Sequence, residues 1–277
     1  MAVPPFILLL MIVLLVITAY AMLAPVIHPI NLGATNIMER IQPPSIFGIS
    51  DSGYLLGSDY LGRDVSIRLV YGTRVSIIVA FLGTALALVI GVALGLVSGY
   101  LGGWVDDLVI FLINVRQSIP ALIIGIVVAT IFGAGTQTMI GIIVFIGWSR
   151  FARYTRAQVL QIKEEQFIEC SRAIGASTTR IILEHVLVNI ASPLIVISTL
   201  NLSSVVLLES TLSFLGLGIQ PPQTTLGVMV STGRDHMLSN PLLALAPSAI
   251  IVVIVLSVSF IGDWLRDRLD PKLANKM

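Results

Sequence analysis

Apolar runs of about 20 residues, each closed by a short polar or turn-forming cluster, organise this chain and predict membrane-spanning helices. Residues 6–22 are almost unbroken hydrocarbon and are expected to form the first span. A cleaved signal peptide is the rival reading, because Ala19-Tyr20-Ala21 resembles a cleavage site, but the basic segment that precedes such sites is missing. From Pro25 to about Leu61, prolines and glycines interrupt any long helix. A loop on the far side is expected there, leading into an interfacial amphipathic helix whose arginines snorkel to headgroups.

Residues 76–104 carry no charge and supply the second span. Its Gly83, Gly91, Gly95 and Gly99 recur at four- and eight-residue steps, which lets another helix come close. Gly99 to Trp104, with Asp106, reads as a tight turn. The third span is expected at 107–132 and the fourth at 138–148, extending helically toward Tyr154. The fifth follows at 189–215 and the sixth at 242–261. The chain then divides into a first helix (1–25), an extracytoplasmic loop with its interfacial helix (26–75), a five-helix core (76–268) holding a cytoplasmic loop at 155–187, and a tail (269–277).

Three polar features stand out against this apolar background. Between Arg150 and His185 the chain gathers six Lys/Arg and four Glu. Within that stretch Phe167, Cys170 and Ile174 recur at helical spacing while Glu165, Glu169 and Arg172 fall on another face, which describes a short amphipathic helix. Gly175 offers a residue that can turn left-handed and end it, and a second short helix can start at Thr178. A generic amphipathic helix lying on headgroups has the same pattern. Arg116 interrupts the third span; it either faces a cavity or partner and meets an anionic group, or snorkels from a helix end. Glu209 is a carboxylate inside the fifth span and needs a partner, either a serine or a neighbouring subunit, ahead of any contact with substrate.

Composition agrees with a membrane protein: 56% of the 277 residues are hydrophobic and 11% charged, against about 25% charged in soluble chains. A net charge of +1 argues against a nucleic-acid partner, and a single cysteine excludes an internal disulfide framework. Ten Lys/Arg fall in the segments expected inside and five in those expected outside, which places both termini and the 155–187 loop in the cytoplasm. No Gly-Lys pair exists to build a phosphate-binding loop, and His28, His185 and His236 lack metal-ligand spacing. Gly147-Trp148-Ser149-Arg150-Phe151 lacks the second glycine of a nucleophile elbow.

The polar loop also carries a resemblance. Glu169, Ala173 and Gly175, followed by Arg180-Ile181-Ile182 and His185-Val186-Leu187, resemble the EAA loop of ATP-binding-cassette importer permeases. Cys170 and Ser171 replace two alanines of that pattern and Val188 a proline. Gly57-Ser58-Asp59-Tyr60-Leu61-Gly62-Arg63-Asp64 and Arg68 to Ser76 resemble a segment of the C-type permeases of dipeptide, oligopeptide and nickel importers. So do Gly99-Tyr100-Leu101-Gly102-Gly103 with Asp106, Glu209 to Gly218 with Pro221-Pro222, and Gly262-Asp263-Trp264-Leu265-Arg266-Asp267 to Pro271. Leu226 stands where that family commonly has Trp, and its usual Arg and Asp near Arg116 align with Phe111 and Asn114.

The resemblance implies an all-α integral membrane protein of six helices, with a type I ABC importer permease fold and an EAA-type coupling loop. It implies ATPase coupling through Glu165, Phe167, Glu169, Arg172, Ala173, Gly175 and Ala176, and a translocation path near Arg116, Asn114 and Glu209. The chain itself would be non-catalytic and hold no cofactor; ATP and Mg would be bound by two partner ATPase subunits. A second permease, an extracytoplasmic solute-binding protein and the bilayer of a prokaryotic plasma membrane complete the implied assembly. Peptides lead as cargo, with nickel complexes, glutathione-like peptides and oligosaccharides carried by relatives. An ATP-independent secondary transporter would show inverted repeats, and a membrane-embedded enzyme would need a catalytic constellation; neither pattern is evident.

Overall fold

The computed structural model describes residues 3–27, 29, 33–46 and 53–269. Among these, ordered secondary structure is helical, apart from one isolated bridge between Ser58 and Asp64. His28, Asp270, Pro271 and the rest of the expected tail beyond Leu269 lie outside the described residues.

Helix α1 (Pro5–Ile27) precedes the outer loop, and α2 (Val65–Leu101) follows it. The stretch expected as a separate interfacial helix is instead the first turns of α2. The Asp64 carboxylate caps it by accepting from the Ser66 and Ile67 amides at 2.7 and 3.3 Å, and the helix runs on unbroken. Gly102 (φ +68°) then ends α2, and α3 (Gly103–Ser118) starts at once, as the tight-turn expectation required.

The third expected span is broken. Helices α3 and α4 (Ala121–Phe132) meet at 88°, because Pro120 drives Ile119 out of the helical region to φ −99°, ψ 124°. Helix α5 (Thr136–Ile162) is much longer than the fourth expected span and carries Arg150, Arg153 and Arg156 in its second half. After the polar loop comes α8 (Leu187–Phe214), then α9 (Leu226–Arg234) and α10 (Leu242–Leu269). By length and apolarity four helical stretches among the described residues can cross a membrane, α1, α2, Thr178–Phe214 and α10, and the bent pair makes a fifth when counted as one span. The count of six expected from sequence is not reached on that measure, since the arginines of α5 lower its apolarity.

The glycine face of α2 is where α5 seats itself. A methyl group at Gly91 would sit 2.5 Å from the Trp148 carbonyl oxygen and from Phe151 Cβ, and one at Gly95 would sit 2.6 Å from Ala152 O. Such backbone-to-backbone approach replaces the hydrophobic drive that lipid removes. Around this pair, Val79, Ile142, Ile143, Val205, Leu212 and Ile254 form the central cluster, which joins α2 and α5 to α8 and α10. Helix α1 lies on α10 and α2, with Phe6 and Phe260 edge to face at 5.5 Å.

Candidate functional site

Three polar structures are set into this frame. The first is the loop between α5 and α8. Helix α6 (Gln166–Ala173) begins after an extended Glu165, and Gly175 (φ +83°) terminates the turn that follows it. The Ser177 side chain caps the next turn, α7 (Thr178–Arg180), which runs through a π-helical segment, Ile181–Val186, into α8.

The buried side of α6 is neither of the two faces that the spacing set apart. Ile168, fully buried, and Ser171 point inward, and Ile168 joins Leu96, Val159, Ile181, Val186 and Ile190 in a cluster spanning α2, α5 and α8. Phe167 (42% exposed), Cys170 and Ile174 (85% exposed) form an outward apolar ridge. Glu165, Glu169, Ala173 and Gly175 are likewise exposed, while Ala176 packs against the buried cluster. Arg172 lies over the Tyr100 ring at 5.5 Å. Ser171, which replaces an alanine of the EAA pattern, donates to the Phe167 carbonyl at 2.8 Å and lies 3.4 Å from His185 Nε2. Lys163 Nζ donates to the Gly99 carbonyl at 3.3 Å, tying the loop to the end of α2.

The second structure is a cavity of about 710 Å³ at the bend between α3 and α4. Arg116, Arg150 and Arg153 line it, facing Asn201 and Ser204 from α8. Arg150 Nη1 donates to Asn201 Oδ1 at 2.7 Å, and Arg153 Nη2 donates to Asn114 Oδ1 at 3.1 Å. Of the three residues the sequence grouped, Arg116 lines the cavity and Asn114 only bonds Arg153 beside it. Glu209 does not line this cavity. Arg150, Arg153 and Asn201 were not singled out from sequence; the two arginines were counted as loop charge, whereas they belong to α5. Their i, i+3 spacing on a helix leading out of an apolar run was the available signal.

The third is the surroundings of Glu209, which is fully buried between α2, α8 and α9. Ser76 Oγ donates to Oε2 at 2.9 Å and Ser213 Oγ to Oε1 at 2.7 Å, with Ser210 at 3.5 Å. Ser76 in turn accepts from the Leu226 amide at 3.3 Å, so one hydroxyl links the carboxylate to the start of α9. The outer Gly57-to-Asp64 segment is locked in a similar way. Asp59 pairs with Arg63 at 2.7 Å and Arg68 at 3.4 Å, and Arg68 Nη2 reaches Thr224 Oγ1 at 3.1 Å. Gly62 (φ +74°) passes so near the Asn36 carbonyl that a side chain has no room.

Comparison with known proteins places this architecture. Residues 91–275 match the model of the family described as binding-protein-dependent transport system inner membrane component. The dipeptide transport system permease protein DppC of Haemophilus influenzae is 36% identical over 263 residues, covering 95% of this chain and 89% of that protein. The oligopeptide transport system permease protein OppC of Escherichia coli is 36% identical over 262 residues, covering 95% and 85%. The glutathione transport system permease protein GsiD of Pectobacterium atrosepticum is 35% identical over 222 residues, covering 80% and 74%. An inward-facing structure of the MetNI methionine ABC transporter superposes with a TM-score of 0.58 at 21% identity, covering 73% of this chain and 95% of that one, a likeness of fold. With several apolar helices in its fold and these relatives along nearly its whole length, the chain belongs to the family of binding-protein-dependent transport system inner membrane components, the multi-pass permease subunits of ABC importers.

Proposed function

We propose that this permease forms half of the translocation pathway of a peptide importer, paired with a second, sequence-distinct permease, and that α6 with Gly175 docks on a cytoplasmic ATPase. Di- and oligopeptides are the favoured cargo, because those are the substrates named for the relatives that match along the chain. The observation that carries the docking reading is the exposed ridge of Phe167, Cys170 and Ile174 on a helix held from beneath by buried Ile168. A ridge of this kind, flanked by exposed Glu165 and Glu169, suits a cleft on a soluble partner.

Two ATPases binding ATP and Mg, and an extracytoplasmic solute-binding protein, complete the proposed assembly. The loop and both termini then lie in the cytoplasm of a prokaryotic cell. With Arg150, Arg153 and Arg156 inside α5, part of the positive charge counted for that side sits within a helix, so the orientation rests more on the coupling role than on charge alone. ATP-driven closure would move α6 as a rigid piece, because Ile168 and Ala176 bind it to the cytoplasmic ends of α2, α5 and α8.

The test is purification of the tagged subunit from its native membrane in mild detergent, beside Glu169→Lys and Ile174→Asp variants. The expected result is recovery of a second permease and ATPases with wild type, and of the permease without ATPases with the variants. A wild-type subunit that is stably folded and brings down no ATPase overturns the reading.

A further inference from the structure

We propose that the cavity at the α3–α4 bend is a carboxylate-binding station, at which Arg116, Arg150 and Arg153 receive the terminal carboxylate of a peptide in transit. This rests on the importer reading above and names the chemical group of the cargo that this chain holds. Three guanidinium groups line one cavity, and no acidic side chain among the described residues lines it with them. None of the three takes part in an ion pair among the described residues. Arg150 and Arg153 are held by the amide oxygens of Asn201 and Asn114, which fix their direction and leave their charge uncancelled. Arg116 Nε is buried and has no hydrogen-bond partner.

Uncancelled positive charge gathered in one cavity of a membrane protein is costly without an anion. Arg116 lies near the far end of α3, about 20 Å along the helix from Gly103, at the bend of the apolar α3–α4 pair. Ionisable side chains within such spans are found paired or facing a cavity, and three guanidinium groups without counter-charge call for a ligand that supplies it. Ala121, in the first turn of the 12-residue α4, lines the same cavity, and no side chain caps that helix start. Its positive end therefore adds to the same field.

A guanidinium fork matches the two oxygens of a carboxylate. Ile143, Ile197 and Leu208 on the other walls give an apolar side chain a place beside it. A fixed carboxylate from the second permease is the competing occupant. It would leave the arginines paired at all times and give no preference among peptides.

The experiment uses the importer purified through this subunit and reconstituted in nanodiscs without the solute-binding protein. Binding of alanyl-alanine and of alanyl-alanine amide is followed by saturation-transfer NMR. The free acid is expected to bind at least about tenfold more tightly than the amide, the effect of one hydrogen-bonded charge pair. Arg116→Gln should remove that preference and Arg116→Lys retain part of it; Arg153→Gln, at a more exposed side chain, should weaken it without loss of assembly. Equal binding of acid and amide, no binding of the acid by wild type at millimolar concentration, or a preference that survives in Arg116→Gln overturns the proposal. So does a loss of permease pairing in the variants with no change in peptide preference, the mark of a partner carboxylate. The same preparation reports ATPase co-purification, so acid preference without ATPases fails only the coupling reading, and ATPases without preference fail only this one.

Discussion

Asp106 grips both arms of the Arg156 guanidinium, Nε to Oδ1 at 2.5 Å and Nη2 to Oδ2 at 2.6 Å, and fastens the start of α3 to α5. Ser98 of α2 donates to the same carboxylate, so three helices meet at one acid. The pair is bidentate and partly shielded, which makes it a strong charge-assisted tie between the helices.

Asp106→Asn should destabilise the protein by roughly 1 to 3 kcal/mol, since it removes the negative charge and one of the two acceptor oxygens and turns an amide NH2 toward the mostly buried guanidinium. Thermal unfolding in detergent, read for Asp106→Asn, Arg156→Gln and the double variant, checks this. The double variant should lose less than the sum of the singles; strict additivity would show that the two side chains do not act as a pair.

Gly91 should be among the positions least tolerant of size. Gly91→Leu forces atoms into the Trp148 carbonyl and Phe151, and overpacking of this kind costs about 1 to 3 kcal/mol or separates the helices. Gly141→Leu, on the open side of α5 with nothing within 4 Å of a methyl group, should leave the elution profile and melting temperature near wild type. Equal damage from both would sink the close-packing account.

Glu209 should behave as a structural hub. Glu209→Leu strips the acceptor from Ser76 and Ser213 in a site without water access and should lower stability by roughly 2 to 4 kcal/mol, whereas Glu209→Gln keeps the acceptor oxygen and most of the stability. Ser76→Ala should cost about 1 kcal/mol by comparison. Retained melting temperature in Glu209→Leu with abolished transport would instead assign the carboxyl to the pathway.

In the outer loop the Tyr54 hydroxyl donates to the Glu39 carboxylate, which pushes its pKa up from 10.0 to about 12. The folded loop thus favours the neutral phenol. Its contribution to loop order is complete below pH 10 and is lost as pH rises toward 12. Tyrosinate absorbance titrated for wild type and Tyr54→Phe should differ by one group ionising near pH 12; a difference centred near pH 10 would mean the bond is not kept in solution.

Much of this was legible in the chain itself. The glycine spacing of α2 announced a close helix contact, and Gly102 and Asp106 announced the turn. Pro120 was just as visible as the prolines of the outer loop, yet the apolar letters on either side of it hid the break, since hydropathy averages over the local geometry that a proline imposes. The arginines of α5 were misplaced for a related reason: a charge count treats a cavity-facing helix as if it were loop. In α6, spacing named an apolar and a charged face, both of which are exposed, and missed the buried side, because Ile168 is anchored by residues up to about 80 positions away in sequence, in α2 as well as α5 and α8. Tertiary packing decided that choice.

The broken third span also bears on how the protein enters the membrane. Helix α4 has 12 residues, about 18 Å of helix, well short of the ~30 Å hydrocarbon layer, and beside it α5 carries three arginines. Neither can partition into lipid on its own hydropathy as α1 and α2 can. Staged insertion is the expected consequence: α2 enters first and presents its glycine groove, against which the polar groups of α3 and α5 find shelter in protein. A lesion at that groove would then register first as failed insertion, before any effect on transport is seen.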